Sequence, residues 1–411
     1  MEKELTQKKT SRSLGVIFFI MLMDVAGQSI LSPVAPYIVR RFSSDALMVT
    51  MLTVIYAGGL FFAAPALGKI SDRVGRRPVL LICVMGSAVG YFVFGIGGAL
   101  WVLFLSRLID GITGGNLSTA AACIADLSKP EERAKNFTLI GIAYGFGFIL
   151  GPALGGALGQ ISLQAPVYAA GIISLLSVGL VYFWLPESLS KENRVKAPLK
   201  LRDFNPFVSI ADMARKPGIA LLLAVIVLFN FSFDGMNSAL PVFMVNKFSV
   251  QPWEIGFVFV IVGIAMAIMQ GTLVRRWIPI YGEKRMGLVS LSGNAVTWLF
   301  VFLAPFMWML YPILFIQSLV VSFIFSCLPT LAANRVTESE QGQIAGVTAA
   351  VEGLAAAFGP LWAGVVYDHV MPGAPFWMGS ILLGLAFFLL TQVKDKPDFS
   401  QKSSSVSTPV K

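Results

Sequence analysis

Five ionisable side chains lie inside long apolar runs: Asp24, Arg107, Asp110, Asp234 and Glu352. A charge in such surroundings is costly unless it is paired or reached by water, so these positions are where binding or proton transfer is expected. Helical spacing groups them. Asp24, Gln28 and Ser32 recur every fourth residue as one polar stripe, and Asn230, Asp234 and Asn237 form a second. Arg107 and Asp110 are one turn apart, with Gly111 and Gly114 on the same face. Asp24 and Arg107 are expected to form a proton-sensitive ion pair. Burial and a nearby cation act in opposite senses on an acid, so a moving partner or an arriving cation can toggle its proton. Two readings compete with this: a pair that only neutralises Arg107, and Asp110 as the arginine's own helical neighbour. Asp234 has no local cation and reads as a proton or substrate site, or as a hydrogen-bonded structural acid. Glu352 is a second protonation candidate, or a packing residue. Gln28, Asn230, Asp234 and Asn237 are the candidate substrate ligands, with Phe231 and Phe233 as neighbouring aromatics.

The elements that must hold these groups follow from composition. Of 411 residues, 56% are hydrophobic and 13% charged, and the mean hydropathy is +0.76. A soluble domain carries roughly 25% charged residues, so an all-α integral membrane protein is expected. A spanning helix needs about 20 mostly apolar residues. Twelve segments qualify: 14–37, 47–67, 78–98, 100–125, 137–158, 166–185, 218–246, 253–274, 286–306, 308–333, 344–367 and 374–393. They are too long and continuous for alternating barrel strands. The first carries Asp24 and is not expected to be a cleaved leader. Cys83, Cys123 and Cys327 all fall within spans and read as packing residues, with no disulfide or metal framework implied.

Net charge is +9, and its placement makes it a topology signal. With the N-terminus inside, Arg40, Arg41 and Lys247 fall outside, Arg107 lies in the membrane, and all other basic residues are cytoplasmic. This is the positive-inside bias. It predicts both termini in the cytoplasm, an inner or plasma membrane location and no nucleic-acid partner. The expected partners are the bilayer, protons and a small-molecule substrate, for a monomer with no cofactor besides the proton gradient.

The longest polar stretch, 186–217, divides the spans six and six. The expected organisation is an N-terminal tail (1–13), a six-helix bundle (14–185), a linker (186–217), a second bundle (218–393) and a C-terminal tail (394–411). A weak internal repeat supports two pseudo-symmetric halves. One constant offset places Gly145, Gly151, Pro152 and Gly156 on Gly353, Gly359, Pro360 and Gly364, and Glu132 on Glu340. Duplicated six-helix halves are the layout of carriers that rock two bundles about a midplane site.

Three motifs give this layout a family. The loop GKISDRVGRRPVL after the second span holds Gly68, Asp72, Arg73, Gly75, Arg76 and Arg77, with the two glycines read as turn residues. It resembles the signature loop of the major facilitator superfamily. RLIDGITGG (Arg107–Gly115) resembles that family's motif with a membrane-embedded arginine. GIAYGFGFILGPALGG, with Gly141, Gly145, Gly151, Pro152, Gly155 and Gly156, resembles the motif of its drug–proton antiporter branch. The resemblance implies that the loop latches one conformation. Asp72 would cap the start of the eleventh span, and an arginine would pair with Asp126. The first half, with Asp24 and IADLSKPEERAKNF, is most similar to tetracycline–proton antiporters. The second half departs from them. The ninth span has only Asn294 where those proteins carry an acid, and the sole histidine, His369, is read as a loop residue. Tetracycline is therefore not the expected substrate.

The reading that follows is a secondary active transporter, a proton-coupled antiporter exporting small amphipathic drugs or metabolites. Proton symport or facilitated uptake of a nutrient uses the same fold. A receptor or scaffold without transport is the alternative of another class. An enzyme is not expected, because no nucleophile–base pair, metal-ligand cluster or G-x-x-x-x-G-K-[ST] loop is present.

Overall fold

The computed structural model describes residues 2–129, 132–194, 206–216, 218–337 and 340–393. The expected C-terminal tail and linker residues 195–205 lie outside the described residues. All regular secondary structure among the described residues is helical. The first half comprises α1 (Glu2–Ser29), α2 (Ala35–Val39), α3 (Ala46–Val74), α4 (Arg76–Ile96), α5 (Leu100–Ile112), α6 (Asn116–Leu127), α7 (Arg133–Gly159) and α8 (Ala165–Trp184). A short α9 (Pro206–Ala214) precedes the second half. That half comprises α10 (Ile219–Phe248), α11 (Pro252–Gly271), α12 (Leu273–Tyr281), α13 (Glu283–Leu303), α14 (Leu310–Ala333), α15 (Gln341–His369) and α16 (Ala374–Gln392).

Eleven of these helices, taken over their apolar stretches, are long and apolar enough to cross a membrane. The twelfth expected span, 100–125, is two helices, α5 and α6, broken at Thr113–Gly115. The break has a local cause. Gly111, Gly114 and Gly115 let this segment press against α3, where a β-carbon on Gly111 would lie 2.4 Å from the Tyr56 carbonyl oxygen. Successive glycines also weaken the helix there. The first span ends early as well, at Ser29, because Pro33 and Pro36 withhold backbone donors and divert the chain into the short α2. The predicted eighth span ends sooner too, turning at Thr272 into α12. His369 is the last residue of α15, its Nδ1 3.0 Å from the Val365 carbonyl, so it is helical and not in a loop.

Each half has its own core. Ile17, Leu80, Ile124 and Val181 share one cluster of the first half, and Ile30, Tyr91, Phe94 and Leu103 share another. The second half packs around Phe229, Trp298 and Phe376, the last two rings stacked 5.6 Å apart. Within it, α10 and α15 approach at backbone distance: a β-carbon on Gly359 would stand 2.3 Å from the Phe231 carbonyl oxygen. The halves meet where α3 packs on α15 and α7 on α11. Among the described residues, hydrogen bonds join the halves at the end bearing the α3 N-terminus, the Ala46 end. There Asp368 accepts from the Ala46 and Leu47 amides, and Arg40 donates to Asn246 at 2.9 Å. Ala46 itself is fully buried in the core of the other half.

Two stability outcomes follow. Gly359→Ala should lower thermal stability by about 1–3 kcal/mol, the usual cost of forced overpacking, read as an earlier melt in detergent. Near the start of α15, Glu340 accepts from Lys216, and this bond leads the causes that hold its carboxyl below 4.5. A depressed acid contributes stability above its unfolded value and loses it as pH falls through the folded one. The melting gap between wild type and Glu340→Gln should therefore persist from pH 7 to 5 and close below about pH 4.3.

Candidate functional site

Of the embedded polar groups, Gln28, Ser32, Arg107 and Asn237 meet at one cavity between the halves, whereas Asp24, Asp110, Asp234 and Glu352 are not in its wall. This cavity of about 290 Å³ lies next to the hydrogen-bonded Ala46 end, with Gln28, Tyr56, Arg107, Phe148, Asn237 and Phe259 in its wall. These residues come from α1, α3, α5, α7, α10 and α11, so both halves build it. Its walls are largely apolar with a few placed polar groups, the usual make-up of a small-molecule site.

Arg107 is the only charged residue of that wall, and it is 5% exposed. Its Nη1 lies 3.1 Å from the Asp110 carboxylate, which is itself 1% exposed. The guanidinium also covers the rings of Tyr91 and Phe94, at 5.1 and 5.3 Å from their centroids. Such stacking suits a weakly hydrated planar cation. Its Nε and Nη2 have no hydrogen-bond partner among the described residues.

This corrects the expected pairing of Asp24 with Arg107. Asp24 instead accepts from Asn116 Nδ2 at 2.6 Å and from Gln28 Nε2 at 3.3 Å. Asn116 is buried and also reaches Ser87 Oγ at 3.5 Å. Asp110 thus takes the one cation, while Asp24 stays within electrostatic reach of Asp110 and relies on amide donors. Sequence reasoning missed Asn116. Its place depends on the α5–α6 break, which swings the first residue of α6 toward α1. A polar residue straight after a glycine pair inside a span was the available signal.

In the second half, Asp234 on α10 lies within electrostatic reach of Glu352 on α15. Neither acid has a hydrogen bond or ion pair among the described residues. The flanking amides of the α10 stripe bond to their own helix, Asn230 to the Ile226 carbonyl and Asn237 to the Phe233 carbonyl. Asn237 reaches the cavity wall, whereas Asn230 is not part of it. The predicted aromatics are displaced too. Phe231 packs on Trp362 and Phe233 on Phe229 and Phe325, while Phe148 and Phe259 line the cavity. Asn294 is fully buried between α13 and α14, held by Gln317 and the Ser290 carbonyl, away from the cavity wall.

At the opposite end, Arg76 gathers the expected loop residues. Its Nε lies 3.1 Å from Asp126 and its Nη1 2.6 Å from Asp72. The carboxylate of Glu187 accepts from its backbone amide at 2.9 Å. Asp72 therefore pairs within its own loop here, in place of the implied cap on the eleventh span. Arg77 donates to the Tyr182 and Val181 carbonyls, and Arg73 joins no ion pair among the described residues. Gly75 turns the chain at φ +120°. Gly68 is an ordinary helical residue inside α3 with open space around it, so its reading as a turn residue is corrected.

The glycines of α7 divide by task. Gly151 and Gly155 press on α1, where added β-carbons would meet Ser29 and the Ile30 carbonyl; Gly156 faces α11. Gly141 and Gly145 face open space. Gly147, absent from the sequence reading, abuts Val25. Pro152 lines the cavity.

Comparison with known proteins bears on both halves. Residues 17–347, and again 276–410, match the profile described as Major Facilitator Superfamily. The tetracycline resistance protein of class C from Escherichia coli is 31% identical over 386 residues, covering 93% of this chain and 96% of that protein. The similarity is thus not confined to the first half. Among solved structures, the human organic anion transporter MFSD10 (TETRAN) matches with TM-score 0.70 and 27% identity, covering 93% of this chain and 99% of that one. The nucleoside transporter NupG matches with TM-score 0.75 at 15% identity, over 93% and 100% of the two chains, a likeness of fold alone.

Removing one partner of the buried pair leaves an uncompensated charge. Asp110→Asn should cost about 3–5 kcal/mol. Adding Arg107→Gln should recover much of that loss, a coupling that a double-mutant melting cycle measures directly.

Proposed function

The chain belongs to the Major Facilitator Superfamily, and from that footing we propose that it is a proton-coupled antiporter exporting small amphipathic drugs or metabolites by alternating access. It is a multi-pass membrane transporter; the coupling, direction and substrate are the proposed part. The observation that carries the proposal is a cavity shared by both halves whose wall holds Arg107 of the buried Arg107–Asp110 pair, with further acids in each half behind that wall: Asp24 in the first, Asp234 near Glu352 in the second.

The mechanism follows from charge accounting. Arg107 can neutralise one carboxylate fully, so the second acid of the first half depends on Asn116, Gln28 and solvent. A cationic substrate entering beside Asp24 favours its ionised form, and a proton arriving there disfavours the substrate. Such antagonism at one site is the thermodynamic content of antiport. Asp234 and Glu352 together carry up to two negative charges without a cation among the described residues, so their proton count responds to charge that moves near them. In this proposal both termini and the Asp72 end face the cytoplasm of an inner or plasma membrane, as the positive-inside bias implies. The conformation described is then sealed toward the outside, and the Asp72–Arg76–Asp126 cluster belongs to the opposite gate. The carrier works as a monomer on the proton gradient alone.

One observation favours a second reading. Arg107 keeps Nε and Nη2 without partners beside the cavity, and the relative MFSD10 is titled an organic anion transporter. An anionic substrate taking Arg107 would release Asp110 to bind a proton. Proton and substrate would then travel together, as in symport.

The test uses proteoliposomes with ethidium as a cationic probe and fluorescein as an anionic one. Antiport predicts ethidium moving against an imposed proton gradient, with Asp24→Asn weakening the gradient's effect by about 5- to 150-fold. Asp72→Asn should slow turnover more than it weakens probe binding. Ethidium transport that ignores both the gradient and Asp24→Asn would sink antiport, and proton uptake accompanying fluorescein would establish symport.

A further inference from the structure

The α3 N-terminus is closed by a residue from the other half. Asp45 occupies the N-cap position but makes no side-chain capping bond. The orphan amides of Ala46 and Leu47 instead donate to the two carboxylate oxygens of Asp368, at 2.9 and 2.8 Å. Asp368 lies in the last turn of α15. A carboxylate on two free N–H groups at the positive end of a 29-residue helix is among the stronger contacts a surface can make. Further bonds across the halves surround it. Arg40 donates to Asn246, which donates to Tyr367 at 2.9 Å, and the Tyr37 hydroxyl donates to the Val250 carbonyl. Directly below, Leu47 and Thr50 stand against Gly364, where no larger residue fits.

The other end of the same helix pair shows the complementary state. The α3 and α15 helices run antiparallel, each 29 residues long. Asp72 occupies the last turns of α3 as Asp368 occupies those of α15. Here Asp72 is turned onto Arg76, and Glu340 gives the α15 N-terminus no side-chain cap. One carboxylate is engaged across the halves and its counterpart is not.

We infer that Asp368 is a positioning residue for transport: it locks α15 onto the α3 N-terminus when the Ala46 end is shut and releases it when that end opens. The lock is local to one end, so it acts on the balance of conformations and not on the cavity. A cap made between halves stabilises only the state in which they touch, and a contact shifts an equilibrium only by what it contributes differently to the two states. The inference rests on the fold and the Asp368 geometry, and it stands whether coupling is antiport or symport.

The test needs neither substrate nor gradient. Ser32→Cys places a thiol in the cavity wall, while the native Cys83, Cys123 and Cys327 are buried. A membrane-impermeant maleimide is applied to either side of reconstituted vesicles. In the parent protein, labelling from the Ala46 side should be slow. Asp368→Ala should raise it about tenfold, the scale of a lost charge-assisted bond, and lower labelling from the Asp72 side. Asp368→Asn keeps one acceptor oxygen and should fall between. Arg40→Gln should act in the same direction, and keeps the test open if the alanine variant does not fold. Labelling that stays slow from the Ala46 side in both Asp368→Asn and Arg40→Gln overturns the inference. Faster labelling from both sides at once also overturns it, because that marks a loosened fold and not a released lock.

Discussion

A guanidinium inside an apolar bundle has few places to go, and much of the first half is arranged around that constraint. Arg107 is held by Asp110 one turn away and by the faces of Tyr91 and Phe94. The carboxylate cancels the charge, and the rings replace hydration with a weaker electrostatic contact. Because Asp110 is on the same helix, the pair costs no register between helices and forms as soon as α5 does. That leaves Asp24 without a cation. It is satisfied by Asn116, delivered from α6 only because the chain breaks between α5 and α6. The glycines that cause the break also seat α5 against α3. One buried charge therefore connects α5, the break, α6 and α1.

Backbone satisfaction sets the second constraint. In a bilayer each helix must close its own hydrogen bonds, so helices associate through close packing more than through apolar surface. Small residues appear at the crossings that matter. Gly151 and Gly155 seat α7 on α1, Gly156 meets Gly256 of α11, and Gly235 meets Gly359 between α10 and α15. Some of these join helices within a half, and others join the halves. The cross-half contacts must form and break during transport, and bare backbone surfaces suit that task because they interlock no long side chains.

Much of the fold was legible because membrane helices advertise themselves by length and apolarity. The family match spans residues 17–347, and again 276–410, in keeping with the three motifs read from the sequence. The site was less legible. Periodicity assigned the stripes on α1 and α10, but it cannot say which acid an arginine chooses when one lies on its own helix. Short-range geometry decided for Asp110 over Asp24. Nor could it place Asn116, whose position follows a break, or separate Phe148 and Phe259 from the many other aromatics. The charges of the Asp72 loop could pair with each other or with a helix end, and the family resemblance implied the latter for Asp72. Its partner here is Arg76, because a capping contact between halves exists in only one conformation, and a sequence carries no conformation.

The missing acid of α13 makes sense on the same grounds. Asn294 is fully buried between α13 and α14, its amide spent on Gln317 and the Ser290 carbonyl. A carboxylate there could not donate to the Ser290 carbonyl as the Asn294 amide does. The acids of the second half sit instead on α10 and α15, which approach each other at backbone distance. Of these, α15 also carries the Asp368 cap and packs along the first half of α3, from Gly364 against Leu47 to Gly353 against Phe61. A change of charge at Glu352 and a change of contact at Asp368 thus act on one rigid element. In the proposed proton-coupled cycle, protonation near the middle of the bundle would bias which end is open through this element, without any longer chain of contacts.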